Sequence, residues 1–179
     1  IPICFLIILI SCNEDSTVPR PKAFVSIQFD DKQYYKPKFP KKYPFSFEVP
    51  KYSELERIDN HLNLNFKKYK AKLHISYFSL ENDLKTHTEN SRRLAFKHTN
   101  KANSISEIIY QNDERNVYGV KFDFDGSTAT STQFFLTDSS NHFFRGALYF
   151  NTQKSDSLAI IEEYLKVDVT RIIETFCWK

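Results

Sequence analysis

The chain is poor in the residues that reactive loops and metal sites draw on. Three glycines among 179 residues leave no Gly-rich phosphate loop, and no Gly-x-Ser-x-Gly elbow occurs. Methionine is absent, and cysteine occurs only at Cys4, Cys12 and Cys177. No Cys-x-x-Cys or His-x-x-x-His pair is present, so a metal site has no ligand spacing to build on. The formal charge of +3 is too small for a nucleic-acid binder, whose domain shows a concentrated basic face. No apolar run reaches the roughly 20 residues of a membrane-spanning helix. What the chain does have is aromatic surface. Its 17 Phe and 10 Tyr can fill a core, which excludes bulk disorder.

The cysteines are informative by position. Ile3 to Ile10 is almost wholly apolar, the length of a signal h-region. Leu9-Ile10-Ser11-Cys12 resembles a bacterial lipobox, and the polar run Asn13-Glu14-Asp15 follows at once. Residues 1–11 are therefore read as a lipoprotein signal segment whose basic n-region lies upstream of Ile1, and Cys12 as the acylated (palmitate-type) residue. An ordinary secretory signal with an incidental cysteine is the alternative. Residues 12–22 form the acylated Cys and an extended tether, because Pro19 and Pro21 exclude a helix. At about 3.3–3.6 Å per residue, ten tether residues hold the body within about 35 Å of a membrane. With Cys4 removed and Cys12 acylated, Cys177 has no disulfide partner. It reads as a small buried residue between Phe176 and Trp178.

Residues 23–179 are expected to form one globular α+β domain. Alternation predicts a strand over Phe24–Phe29. From Tyr34 to Pro50, prolines interrupt a mixture of lysines and aromatics and exclude a helix. Tyr34, Tyr35, Lys36, Lys38, Lys41, Lys42 and Tyr43 form a candidate partner contact for an anionic ligand. The alternative is an irregular coat over a sheet with its lysines solvated. Phe45, Phe47 and Val49 alternate and predict a short strand there.

Leu62–Phe66 and Leu73–Tyr77 alternate as strands, with Lys67, Lys68 and Lys70 near their turn. Leu80 to about Lys101 has helical spacing, with Ser79 as cap and Leu80, Leu84, His87, Ser91, Leu94 and Ala95 on one face. Ile105–Tyr110 is a further strand. Val120–Phe124, Gln133–Thr137 and Phe143–Phe150, separated by Asp125-Gly126 and by Asp138–Asn141, predict an antiparallel meander. A last helix begins at Asp156 or Ser157, with Leu158, Ile161, Leu165, Val169, Ile172 and Phe176 in one stripe expected to lie on the meander.

No catalytic constellation emerges, so the chain is read as no enzyme, with no cofactor and no metal. His87 and His98, on one helix, are about 16 Å apart. Asp123, Asp125 and Gly126 match the start of a calcium loop, but the later ligands and closing Glu are missing, and a hairpin turn explains them.

Read together, these segments resemble the gliding motility lipoprotein GldD family of Bacteroidota. The likeness runs through the lipobox, Pro19-Arg20-Pro21-Lys22-Ala23, Tyr43-Pro44-Phe45-Ser46-Phe47-Glu48, Tyr69 to Tyr77 and Leu94-Ala95-Phe96-Lys97-His98. It is densest over Gln133 to Ser139, His142-Phe143 and Gly146 to Phe150, and ends on Glu174 to Lys179. The resemblance implies a part in gliding motility and the linked type IX secretion machinery. It also implies other gliding and secretion lipoproteins of the envelope as partners. It supplies no catalytic residue. Many members place Cys before the Pro-aromatic-x-Phe-Glu segment and again near residue 60; here Tyr43 and Asn60-His61 stand there, which implies looser packing over residues 43–61. The meander followed by a helix also resembles the PsbP/Mog1 arrangement, an antiparallel sheet with helices on both faces. The expected place is the outer membrane facing the periplasm, with the inner membrane or the cell surface as alternatives. A peptidoglycan- or glycan-binding module is the competing function.

Overall fold

The computed structural model describes residues 27–58, 61–97, 102–126, 128–151 and 156–179. Cys12, the tether and His98 lie outside them. Alternating apolar residues build β5 (His61–Phe66) and β6 (Ala71–Ser79), and the mostly charged β4 (Glu54–Ile58) pairs with β5. The helix α1 (Leu84–Phe96) then leads to β7 (Ala102–Asn112), β8 (Val117–Gly126), β9 (Thr130–Thr137) and β10 (His142–Phe150). These seven strands form one antiparallel sheet in the order β4-β5-β6-β10-β9-β8-β7. Two meanders thus meet where β10 pairs with β6, His142 opposite Ser79 and Phe150 opposite Ala71. The helix α2 (Asp156–Glu174) follows β10.

The helices lie on opposite faces. Because strand side chains alternate, Phe134 and Phe144 turn toward α2 while Phe135 and Phe143 turn toward α1. Leu165, Val169 and Ile172 of α2 are fully buried against the first face, as is Phe176 just beyond the helix. The second core is smaller: Ala95 of α1 over Val120, Phe122, Phe124, Phe135 and Phe143. A Cβ at Gly146 would lie 2.3 Å from the Phe134 ring, so only glycine lets that ring cover β10.

Residues 27–52 form a coat beside α2. It contains β1 (Tyr34–Tyr35), paired with β3 (Val49–Pro50), and β2 (Phe45–Ser46), paired with β11 (Cys177–Trp178). Its backbone is irregular but its packing is tight. Phe45, Phe47 and Val49 are completely buried, and Tyr43 is 3% exposed. Phe45 lies edge-on to Phe144 and to Tyr77. The looser packing expected from Tyr43 onward is therefore absent over residues 43–50: the tyrosine ring fills space against Phe39 and Phe45.

Four other expectations change. Ile27–Phe29, the described part of the first predicted strand, is irregular: the Phe29 ring stacks on Tyr164 of α2 and on Tyr69 in the turn between β5 and β6 instead of gaining a strand neighbour. Helix α1 starts at Leu84 rather than Leu80. Ser79 still belongs to β6, and Asn82 takes a left-handed conformation (φ 63°) that turns the chain before the helix. Leu94 is 40% exposed rather than on the buried face. Cys177, expected to be buried, is only half-buried as a free thiol on β11, where it pairs with Ser46.

Candidate functional site

The residues singled out in the sequence fall in the coat, so what fixes the coat comes first. Asp168 lies on α2 beside the apolar stripe and is completely buried. Lys32 donates to its Oδ2 at 2.8 Å, Tyr34 donates its hydroxyl to Oδ1 at 2.8 Å, and Tyr52 donates to Oδ2 as well. The Lys32 ammonium also donates to the Tyr164 carbonyl at 2.8 Å and sits 3.4 Å from the centre of the Tyr164 ring. One buried carboxylate thus collects three donors from residues 32–52, and a buried charge is tolerable only when it is bonded in this way.

The electrostatics follow from burial. Desolvation lowers the Lys32 pKa, and the bond and charge of Asp168 oppose that shift. Burial, then the bond to Asp168, pushes the Tyr34 and Tyr52 hydroxyls well above the ordinary phenol range, so both remain donors. One turn earlier on α2, the Tyr164 hydroxyl donates to the Asp30 carbonyl at 2.6 Å, and Phe29 stacks on its ring. Tyr69 and Lys68 donate to the Asp30 carboxylate and lower its pKa. At the far end of α2, Arg171 donates through Nε and Nη2 to Glu48. The coat is therefore clamped to α2 at Tyr164, Asp168 and Arg171 in turn.

This clamp sorts the seven sequence candidates. Tyr34 is half-buried with its hydroxyl on Asp168, and Tyr43 belongs to the core. Tyr35, Lys36, Lys38, Lys41 and Lys42 are exposed. A turn closed by the Tyr43 amide on the Pro40 carbonyl (2.9 Å) carries the last two lysines. Two cations that the sequence did not flag join them. Arg57 of β4 donates to the Lys38 carbonyl at 2.9 Å, and the Lys179 ammonium lies 5.9 Å from the Phe39 ring. The fold thus gathers basic residues from three distant segments into a collar around Phe39. None of Lys36, Lys38, Lys41, Arg57 and Lys179 forms a salt bridge among the described residues. Such a collar suits carboxylate or phosphate groups, with Tyr35 available to stack.

Among the described residues, no group of three His, Cys, Asp or Glu is placed to hold a metal, and no helix is long and apolar enough to cross a membrane. The model of the gliding motility lipoprotein GldD family matches residues 14–178. The chain belongs to that family. Membership gives it a role in gliding motility and a lipid-anchored place in the cell envelope. No curated protein matches the chain. Within the matched span lie the clamp, both cores and all of the collar except Lys179.

Proposed function

We propose that this GldD-family chain is a non-enzymatic scaffold of the gliding machinery and of the linked type IX secretion system. It stabilises partner lipoproteins at the membrane surface, as one domain from residue 23 onward. The match over residues 14–178 carries this reading. Cys12 is the acylated anchor, most simply in the outer membrane facing the periplasm. The lipobox-like Leu9-Ile10-Ser11-Cys12 and the polar run after it support that assignment. One helix on each face of an antiparallel sheet supports a PsbP/Mog1-like description, a likeness of architecture that assigns no activity.

Deleting the gene should give non-spreading colonies that retain type IX cargo; normal spreading with normal secretion would overturn the proposal. Cys12→Ala should abolish incorporation of labelled palmitate and release the protein from the membrane fraction. The collar favours a second reading, an anchored module for anionic cell-wall glycan. The full-length protein should then sediment with purified cell wall and lose that binding on Lys36→Ala, Lys38→Ala and Lys41→Ala combined, or on Tyr35→Ala.

A further inference from the structure

The two edges of the sheet differ. The edge strand β4 has five residues, three of them charged: Glu54, Glu56 and Arg57. Short length and charge are how natural sheets keep an edge from pairing with another chain. The other edge, β7, runs for eleven residues without Pro or Lys. Its one charge, Glu107, is held by Arg92 of α1 at 3.1 Å. Its inner side pairs with β8, and no described strand pairs with its outer side. Ile109 is 78% exposed and Ile108 40%. They point to opposite faces of the sheet, Ile109 level with Val120 and Ile108 with Lys121. Apolar side chains therefore flank the open backbone on both faces, beside unpaired peptide groups that want partners.

The pattern of β7 selects its occupant. If two copies pair antiparallel, their twofold axis is normal to the sheet, and opposed residues must share a face. Only registers pairing odd with odd and even with even numbers are then allowed. With Glu107 on the axis, two carboxylates oppose each other, which is unfavourable. With Ile108 on the axis, Ile109 opposes Glu107. With Ile109 on the axis, Ile109 meets itself, Ile108 meets Tyr110, Glu107 meets Gln111 and Ser106 meets Asn112. That register opposes no like charges and covers Ile109, the most exposed large apolar residue among the described residues, with its own copy.

We propose that β7 pairs with β7 of a second copy in this register, making one sheet continuous through both. The contact is smaller than a standard stable interface, so it forms best where copies are concentrated together. A shared membrane supplies that condition if the anchor reading holds.

The test uses the full-length chain in cells, with Cys177→Ser as parent and single cysteines added. In the proposed register, the two residues at 109 lie about 4.5–5.5 Å apart at Cα, within disulfide reach. The two at 107 lie about 14 Å apart. After mild oxidation, Ile109→Cys should give a reducible dimer, while Glu107→Cys and the exposed helix control Ile160→Cys should not. Adding Ile108→Lys to Ile109→Cys should cut the dimer by at least about tenfold, with the melting temperature unchanged. No dimer at 109, equal dimer at 107, 109 and 160, or a 109 adduct only with another protein would overturn the proposal. So would a dimer indifferent to Ile108→Lys. A dimer already present in the parent reports a free Cys12 thiol, a failure of the anchor reading rather than of strand pairing, and is subtracted.

Discussion

On the α2 face of the sheet, Phe134, Phe144 and Leu148 are sealed by a helix and by the coat together. On the α1 face, Phe135 and Phe143 have one helix above them, and its His87 also touches Phe78 near the end of β6, away from the side chains of β4, β5 and the start of β6. There the surface is a polar network: Asn63 and Asn65 both donate to Glu56, His74 shares a hydrogen bond with Asn63 at 2.8 Å, and Lys72 lies 3.6 Å from Glu56. The same strands thus serve a large core on one side and a small core beside an open polar field on the other. Stability should reside mainly in the first face, leaving the second freer to vary.

Adjacent residues of β10 give the sharpest comparison. Phe144 is fully buried and touches the rings of Phe45, Phe47, Phe134 and Phe176. Phe144→Ala should cost about 3–5 kcal/mol, close to the whole stability of many domains. Phe143 stacks on Phe135 and touches His87 of α1. Phe143→Ala should cost less, about 3 kcal/mol, because α1 can settle into the gap. Chemical denaturation of both variants measures the difference; equal losses would break the contrast between faces.

This contrast was only partly legible in the sequence. The meander and the α2 stripe were, because Val120–Phe124 and Gln133–Phe150 alternate with period two and Leu158 to Phe176 recur at helical steps. Strand β4 was not. Glu54-Leu55-Glu56-Arg57-Ile58 is mostly charged, and its strand form comes from pairing with β5. The coat was legible as non-helical, and Phe45, Phe47 and Val49 alternate, but the burial of Phe39 and Tyr43 was not legible, since prolines interrupt the periodicity around them. Within the collar, the lysines at 36–42 stood out as a cluster. Arg57 and Lys179 did not, because only tertiary structure brings them there. Asp168 carried one faint signal, a carboxylate next to an apolar helical stripe.

Asp168→Ala sharpens the α2 side from its polar end. Removing the carboxylate leaves the Lys32 ammonium and the hydroxyls of Tyr34 and Tyr52 without their shared acceptor. About 3 kcal/mol should be lost, with the coat loosening before the sheet. Hydrogen exchange should show amides of residues 32–35 and 49–52 losing protection while those of β8 and β9 keep theirs. Uniform loss would mean that coat and sheet form one cooperative unit.

The β9–β10 turn serves both faces and acts as a control. Asp138 Oδ1 accepts the amides of Ser140, Asn141 and His142 at 2.8–3.0 Å. Partial burial alone would raise its pKa, but these donors outweigh it and the net shift is downward. A carboxylate whose folded pKa lies below its unfolded value stabilises the fold above the unfolded pKa, about 3.9, and loses that contribution as the pH falls toward the folded value. Asp138→Ala should cost about 1–2 kcal/mol at pH 7. The gap to wild type should close as the pH drops below about 4. A gap independent of pH would show that turn geometry, not charge, is the source.

The smallest effect tests whether the α1 face draws on surface charge. Arg92 of α1 pairs with Glu107 of β7 at 3.1 Å and lies 5.9 Å from the Phe122 ring. Both partners are partly exposed, so solvent screens the pair and Arg92→Ala should cost about 0.2–1 kcal/mol. Most of that loss should survive 1 M salt if packing of the arginine on Phe122 is its source, and vanish if the ion pair is. A salt-resistant loss would mean that α1 is held to its face by the edges of its own small core. That would make Arg92 a packing residue which also neutralises Glu107, the one charged residue within β7.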